Sequence, residues 1–135
     1  MKARSLLLII VGFLSGIVTA TAAHAAFQQR GAVADALVAS PDHYKLEFEN
    51  EFVRVIRGRY GPHETGAMHS HPVPGGVVVN LTEQHLRQIL PDGTTRDLHN
   101  KAGVTRWSPA ATHQDENLDG RAFEVIRVDL KQTCR

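Results

Sequence analysis

Cysteine is almost absent from this chain: the 135 residues contain one, Cys134, beside the C-terminus. No internal disulfide and no CxxC redox pair can form, so the fold must stand on packing or on a metal. Cys134 can pair between chains or stay a thiol on a tail. Net charge is nearly absent too, with 15 Lys and Arg against 14 Asp and Glu. There is no basic footprint for nucleic acid and no block of like charge for an interaction tail. Glycine-rich phosphate cradles, internal repeats and low-complexity linkers are missing. Ser70 and Ser108 have histidines nearby but no nucleophile elbow around them. No apolar run reaches the ~20 residues that cross a bilayer comfortably.

What is there begins with a leader. Lys2 and Arg4 precede an uncharged apolar run from Leu6 to Val18, and Ala23-His24-Ala25 has the small-x-small form of a cleavage site. This pattern predicts a signal peptide over residues 1–25, periplasmic or secreted localisation, and no membrane association after cleavage. An uncleaved N-terminal anchor is the alternative. The remaining chain, about 110 residues, is the size of one domain. Residues 26–43 read as an N-terminal extension with a short helix over 32–39, stopped by Ser40-Pro41. Residues 132–135 are a tail.

From Tyr44 onward the hydrophobic pattern has period two. Strands are expected over 44–49, 52–57, 75–81, 84–90, 94–98, 104–107, 113–118 and 121–130. Pro91-Asp92-Gly93 and Asp119-Gly120 supply hairpin turns. Val77, Val79 and Leu81 are expected in the interior. Phe123, Val125 and Arg127 share one face of the last strand. Eight or so short strands and almost no helix predict an all-β sandwich or barrel.

The chemistry concentrates in His69-Ser70-His71 and, 42 residues further on, His113. Residues i and i+2 of a strand point to one face about 7 Å apart. Neutral imidazoles on one face can converge on a divalent ion. The plainer alternatives are a polar loop pair beside Pro72 and a strand-end histidine bonded to backbone. His43, His85 and His99 read as surface residues, Asn117 as a turn-tying side chain, and Trp107 as core or pocket wall.

From Tyr44 to Lys131 the chain resembles the small single-domain cupins. Gly61 or Gly66 followed by His69-Ser70-His71-Pro72 matches the family's first motif, and Gly103, Pro109, His113 and Asn117 match the second. The resemblance implies a double-stranded β-helix, or jelly roll, over residues 44–131. It also implies a metal held by His69, His71 and His113. The family's ligating glutamate should fall near Gly75 or Gly76, and glycine has nothing to offer there. Three neutral imidazoles leave the ion its full charge, so such a site favours anionic or chelating oxygen ligands. Iron, manganese, nickel, copper and zinc all accept imidazole. His63, Glu64 and Asp115 are candidates for orienting the ligands or lining the pocket, and exposed loop residues are the plainer reading of all three. The resemblance suggests a dioxygenase or isomerase acting on a small oxygenated compound. The alternatives are a non-catalytic small-ligand binder and a homodimeric structural module that pairs through an edge at Phe52 to Tyr60.

Overall fold

The computed structural model describes residues 32–132. The leader at 1–25 and Cys134 lie outside the described residues. Among the described residues one short helix, α1 (Ala36–Ala39), precedes seven strands: β1 (Tyr44–Glu49), β2 (Val53–Tyr60), β3 (His69–Asn80), β4 (Gln84–Ile89), β5 (Thr95–Asn100), β6 (Thr105–Asn117) and β7 (Phe123–Leu130). Asp35 caps α1 by accepting from the Leu37 amide at 3.0 Å, the bond a helix start needs.

All neighbours pair antiparallel, in the order β1-β2-β7-β3-β6-β4-β5. Strand β6 joins the two halves. Its stretch from Thr105 to His113 pairs with β3, and Gln114 to Asn117 pairs with β4. Every strand contributes a residue to the wall of one cavity, so the sheet curls into the expected jelly roll.

Three expectations change. The strands foreseen at 104–107 and 113–118 are one strand, β6, running straight through Pro109. The interior residues of β3 beyond the histidines are Val78 and Asn80, not Val77, Val79 and Leu81. The cause is a register shift between His71 and Gly75, across Pro72-Val73-Pro74. That irregularity reverses which residues face inward, as a one-residue slip does in any strand. The Phe52–Tyr60 edge is no edge either: β2 is paired on one side with β1 and on the other with β7.

The interior is a site more than a packed core. Among the described residues, buried apolar side chains are few: Ala36, Tyr44, Ile56, Tyr60, Val78, Leu86 and Phe123. Buried polar ones outnumber them, including three histidines, Asn80, Gln84, Gln88, Asp115, Arg127 and Asp129. Buried polar groups are costly unless partnered, so this composition marks functional space. Trp107 is 52% exposed. It lies opposite Val77 on the outer face of the β3–β6 pair, and so is neither core nor pocket wall.

Candidate metal centre

His69 and His71 enter from β3 and His113 from β6. His69 and His113 are direct partners in the β3–β6 register, and strand alternation sends His71 to the same face. Ring centroids are 4.7 Å apart for His69–His113, 4.9 Å for His69–His71 and 5.1 Å for His71–His113. One nitrogen from each ring lies within 4.8 Å of the other two. Bonds of ~2.1 Å at tetrahedral angles set ligand nitrogens about 3.4 Å apart, so the rings must draw inward onto an ion. The three residues are 0%, 7% and 6% exposed. His71 and His113 line the cavity, and His69 stands behind them.

Ser70 faces the other way. Its hydroxyl donates to the Val33 and Ala34 carbonyls at 2.9 and 3.2 Å, and its amide donates to Ala34 at 2.9 Å. Asp35 accepts from Arg54 Nη2 at 2.7 Å. The N-terminal extension is therefore a strap across the outer side of the histidine pair.

The surroundings decide protonation. His69 Nδ1 lies 2.9 Å from the Ala67 carbonyl, which can only accept, so the proton sits on Nδ1 and Nε2 carries the lone pair. That Nε2 lies 3.3 Å from the Tyr44 hydroxyl, which accepts in turn from Tyr60 at 3.2 Å. Burial pushes His69 below its ordinary pKa, against the pull of the Ala67 carbonyl. Burial, then the charge of Arg127, pushes His71 down to about 2. Burial raises the Tyr44 phenol well above its usual range, and the charge of Asp115 adds to this. The Nδ1 atoms of His71 and His113 are buried without a hydrogen-bond partner. Buried imidazoles with unmatched nitrogens suit a divalent cation; His71 and His113 offer one each, and the set fits one ion.

Asp115 is the carboxylate of the site. Its Oδ2 is 3.4 Å from His113 Nε2, and its Oδ1 accepts from Gln88 Nε2 at 3.1 Å. Arg96 Nε donates to Gln88 Oε1 at 2.9 Å, so a hydrogen-bonded chain runs from exposed Arg96 through Gln88 to Asp115, whose other oxygen lies beside His113. Burial raises the Asp115 pKa, but the bonds to His113 and Gln88 outweigh it and hold the carboxyl below its usual value.

Gly75 and Gly76 carry no ligand because no side chain fits there. A Cβ on Gly76 would lie 2.2 Å from the Val128 carbonyl oxygen. One on Gly75 would lie 2.6 Å from the Ser108 carbonyl, at a backbone φ of +110°. The backbones of β6 and β7 fill the space a side chain would take at either glycine.

His63 and Glu64 do not join the centre. Neither lines the cavity. Glu64 accepts from the Gly61 amide at 2.6 Å and sits 3.4 Å from His43 Nε2, while the His63 amide bonds to the Asp119 carbonyl. Both serve their loop, because His63 takes a left-handed turn conformation (φ 58°). Asn117 ties that loop as expected, donating to the Gly61 and Arg121 carbonyls at 2.7 and 2.8 Å. Sequence reading missed Tyr44, Gln88 and Arg127 as parts of the site. The signal for Arg127 was an arginine on the same strand face as Phe123 and Val125. The signal for Gln88 was an amide at an inward position of β4. Nothing in the sequence marked Tyr44.

The fold is that of the cupins. A cupin domain from Bordetella pertussis Tohama I superposes with a TM-score of 0.61 at 24% identity, covering 66% of this chain and 92% of that one. A cupin superfamily protein from Desulfitobacterium hafniense gives 0.48 at 9% identity, over 66% and 76%. Bacillus subtilis oxalate decarboxylase, a protein with Mn(II) centres, gives 0.48 at 16%, over 63% of this chain and 23% of that one. No protein-family profile and no curated protein matches the sequence.

Proposed function

We propose that this chain is an exported cupin that holds one divalent metal ion through His69, His71 and His113 and binds a small oxygen-bearing molecule beside it. One observation carries the reading: three buried imidazoles from two strands converge, two of them lining a cavity of about 290 Å³, small for a ligand site. Export rests on the leader pattern of residues 1–25. When bound, the ion supplies Lewis-acid polarisation of ligand oxygens and acidifies bound water. Iron, manganese, nickel, copper and zinc remain equal candidates.

The chain's own residues supply the rest. The Ala67 carbonyl fixes the His69 tautomer. Asp115 steadies the His113 ring and partly offsets the ion's charge. Tyr44 holds a proton at its hydroxyl beside His69. Leu86, Leu98, Phe123 and Val125 line the cavity and exclude bulk water. Dioxygenation or isomerisation of a small oxygenated compound suits this setting.

Elemental analysis tests the reading. After supplementation, the wild-type protein should carry close to one equivalent of a divalent metal, and the triple His→Ala variant less than a tenth. A wild-type value below a tenth would end the proposal.

A second reading, a small-ligand binder without turnover, is favoured by the exclusion of a fourth ligand at Gly75 and Gly76. It predicts a ligand-induced rise in Tm in metal-stripped protein. A homodimer remains part of the proposal, with β1 in place of β2 as the pairing strand, since β1 ends the sheet.

A further inference from the structure

We propose that Arg127 and Arg106 form an anion subsite in the cavity, and that its ligand is a small organic acid whose carboxylate they grip. Two ladders meet at Val78. Its partner on β7 is Arg127, and its partner on β6 is Arg106. The two arginines flank one inward-facing residue, and both line the cavity.

Their donors are only partly used. Arg127 is 4% exposed. Its Nε bonds to Asp129 and its Nη1 to Ser108 Oγ at 2.8 Å, while its Nη2 is buried with no partner. The Nε of Arg106 is likewise buried and unpartnered. A buried guanidinium donor left unmatched is destabilising, more so than a neutral one. The nearby carboxylates are taken. Asp129 is shared by Arg127 and Arg54, and Asp115 by Gln88 and His113. Exposed Arg96 adds a third guanidinium to the lining. The repulsion is felt: burial, then Arg127 and Arg96, lowers the Arg106 pKa, while Asp115 opposes this.

Among the described residues no group meets these two donors, and a ligand carboxylate would complete them. A planar carboxylate matches a guanidinium fork. The apolar lining, Leu86, Leu98, Phe123 and Val125, suits a short carbon body. An oxygen at the other end would reach the side of His71 and His113. That orientation rests on the metal reading, whereas the arginine grip does not.

Titration calorimetry on the purified full chain tests this, in metal-stripped and metal-loaded forms at fixed ionic strength. The probes are malonate and succinate, with malonamide as the uncharged control. A dicarboxylate should bind at least tenfold more tightly than malonamide in both forms. Arg106→Gln should weaken that binding at least tenfold while its far-UV spectrum and unliganded Tm stay as wild type. Arg106 is the decisive variant, because Arg127→Gln takes one of its two partners from buried Asp129 and can unfold the protein. Equal binding of malonate, succinate and malonamide overturns the proposal, as does wild-type affinity in Arg106→Gln. Arginine-dependent malonate binding by a chain that takes up no metal would uphold the subsite and remove the metal reading. Metal uptake without preference for the acids would do the reverse.

Discussion

His69 and His113 face each other across the β3–β6 ladder, partners in register with ring centroids 4.7 Å apart. A direct antiparallel pair fixes the separation of two side chains through backbone hydrogen bonds alone. His71 joins them by strand alternation. The geometry of the centre thus belongs to the sheet and does not depend on a flexible loop.

Replacing His113 with Ala should therefore lower metal affinity at least a hundredfold, since two ligands hold a divalent ion poorly. Ser70→Ala, one residue from two of the ligands, should leave affinity within a few-fold. It should cost about 1 kcal/mol of stability by releasing the N-terminal strap. Competition with a chromophoric chelator reads the first effect and urea denaturation the second.

Asp115→Asn keeps the shape of the side chain and removes its charge. Loss of a carboxylate that orients a ligating imidazole should cost about 10- to 100-fold in metal affinity. The unliganded Tm should change little. Equal affinity in the variant would show that Asp115 only ties β6 to Gln88.

Gly76→Glu, which writes the family carboxylate back into the sequence, should fail to add a ligand. Its Cβ meets the Val128 carbonyl at 2.2 Å, and overpacking of this kind costs about 1–3 kcal/mol or more. The variant should melt at least about 5 °C lower and bind metal more weakly.

Acid should destabilise the metal-free protein in a window set by His71. Folded His71 resists protonation until about 2, whereas an unfolded histidine takes its proton near pH 6.5. Between those values the unfolded chain binds more protons, so stability falls as pH is lowered. The urea midpoint should drop steadily from about pH 7 to about pH 4, and the drop should be shallower in His71→Gln.

Trp107 is the protein's single tryptophan, and it lies on the outer face. Its fluorescence should be quenched readily by acrylamide, and Trp107→Ser should change stability by no more than about 0.5 kcal/mol.

Much of this was legible in the residues because strand physics is local. Period-two hydrophobicity and the Pro-Asp-Gly turn placed β1, β4, β5 and β7 within a few residues. The His-x-His spacing put two ligands on one face. Asn117 announced a tied turn through its side-chain chemistry. Interior parity in β3 was not legible, because the Pro72–Gly75 irregularity reverses it and its register exists only against β6. For a similar reason nearness in sequence to a ligand says nothing of which way a glycine-flanked loop turns, and His63 and Glu64 take the exposed-loop reading, not the orienting one.

By itself the sequence determined the all-β class and the strand-borne histidine pair, since each follows from neighbours within a few residues, while the lack of a fourth ligand at Gly75 or Gly76 was what the family resemblance implied. Only the tertiary structure decided that His113 lies opposite His69, that Gly76 leaves no room for a side chain, and that Arg106 and Arg127 flank Val78. Those are pairings between strands far apart in the chain, and hydrogen-bond register across the curled sheet sets them.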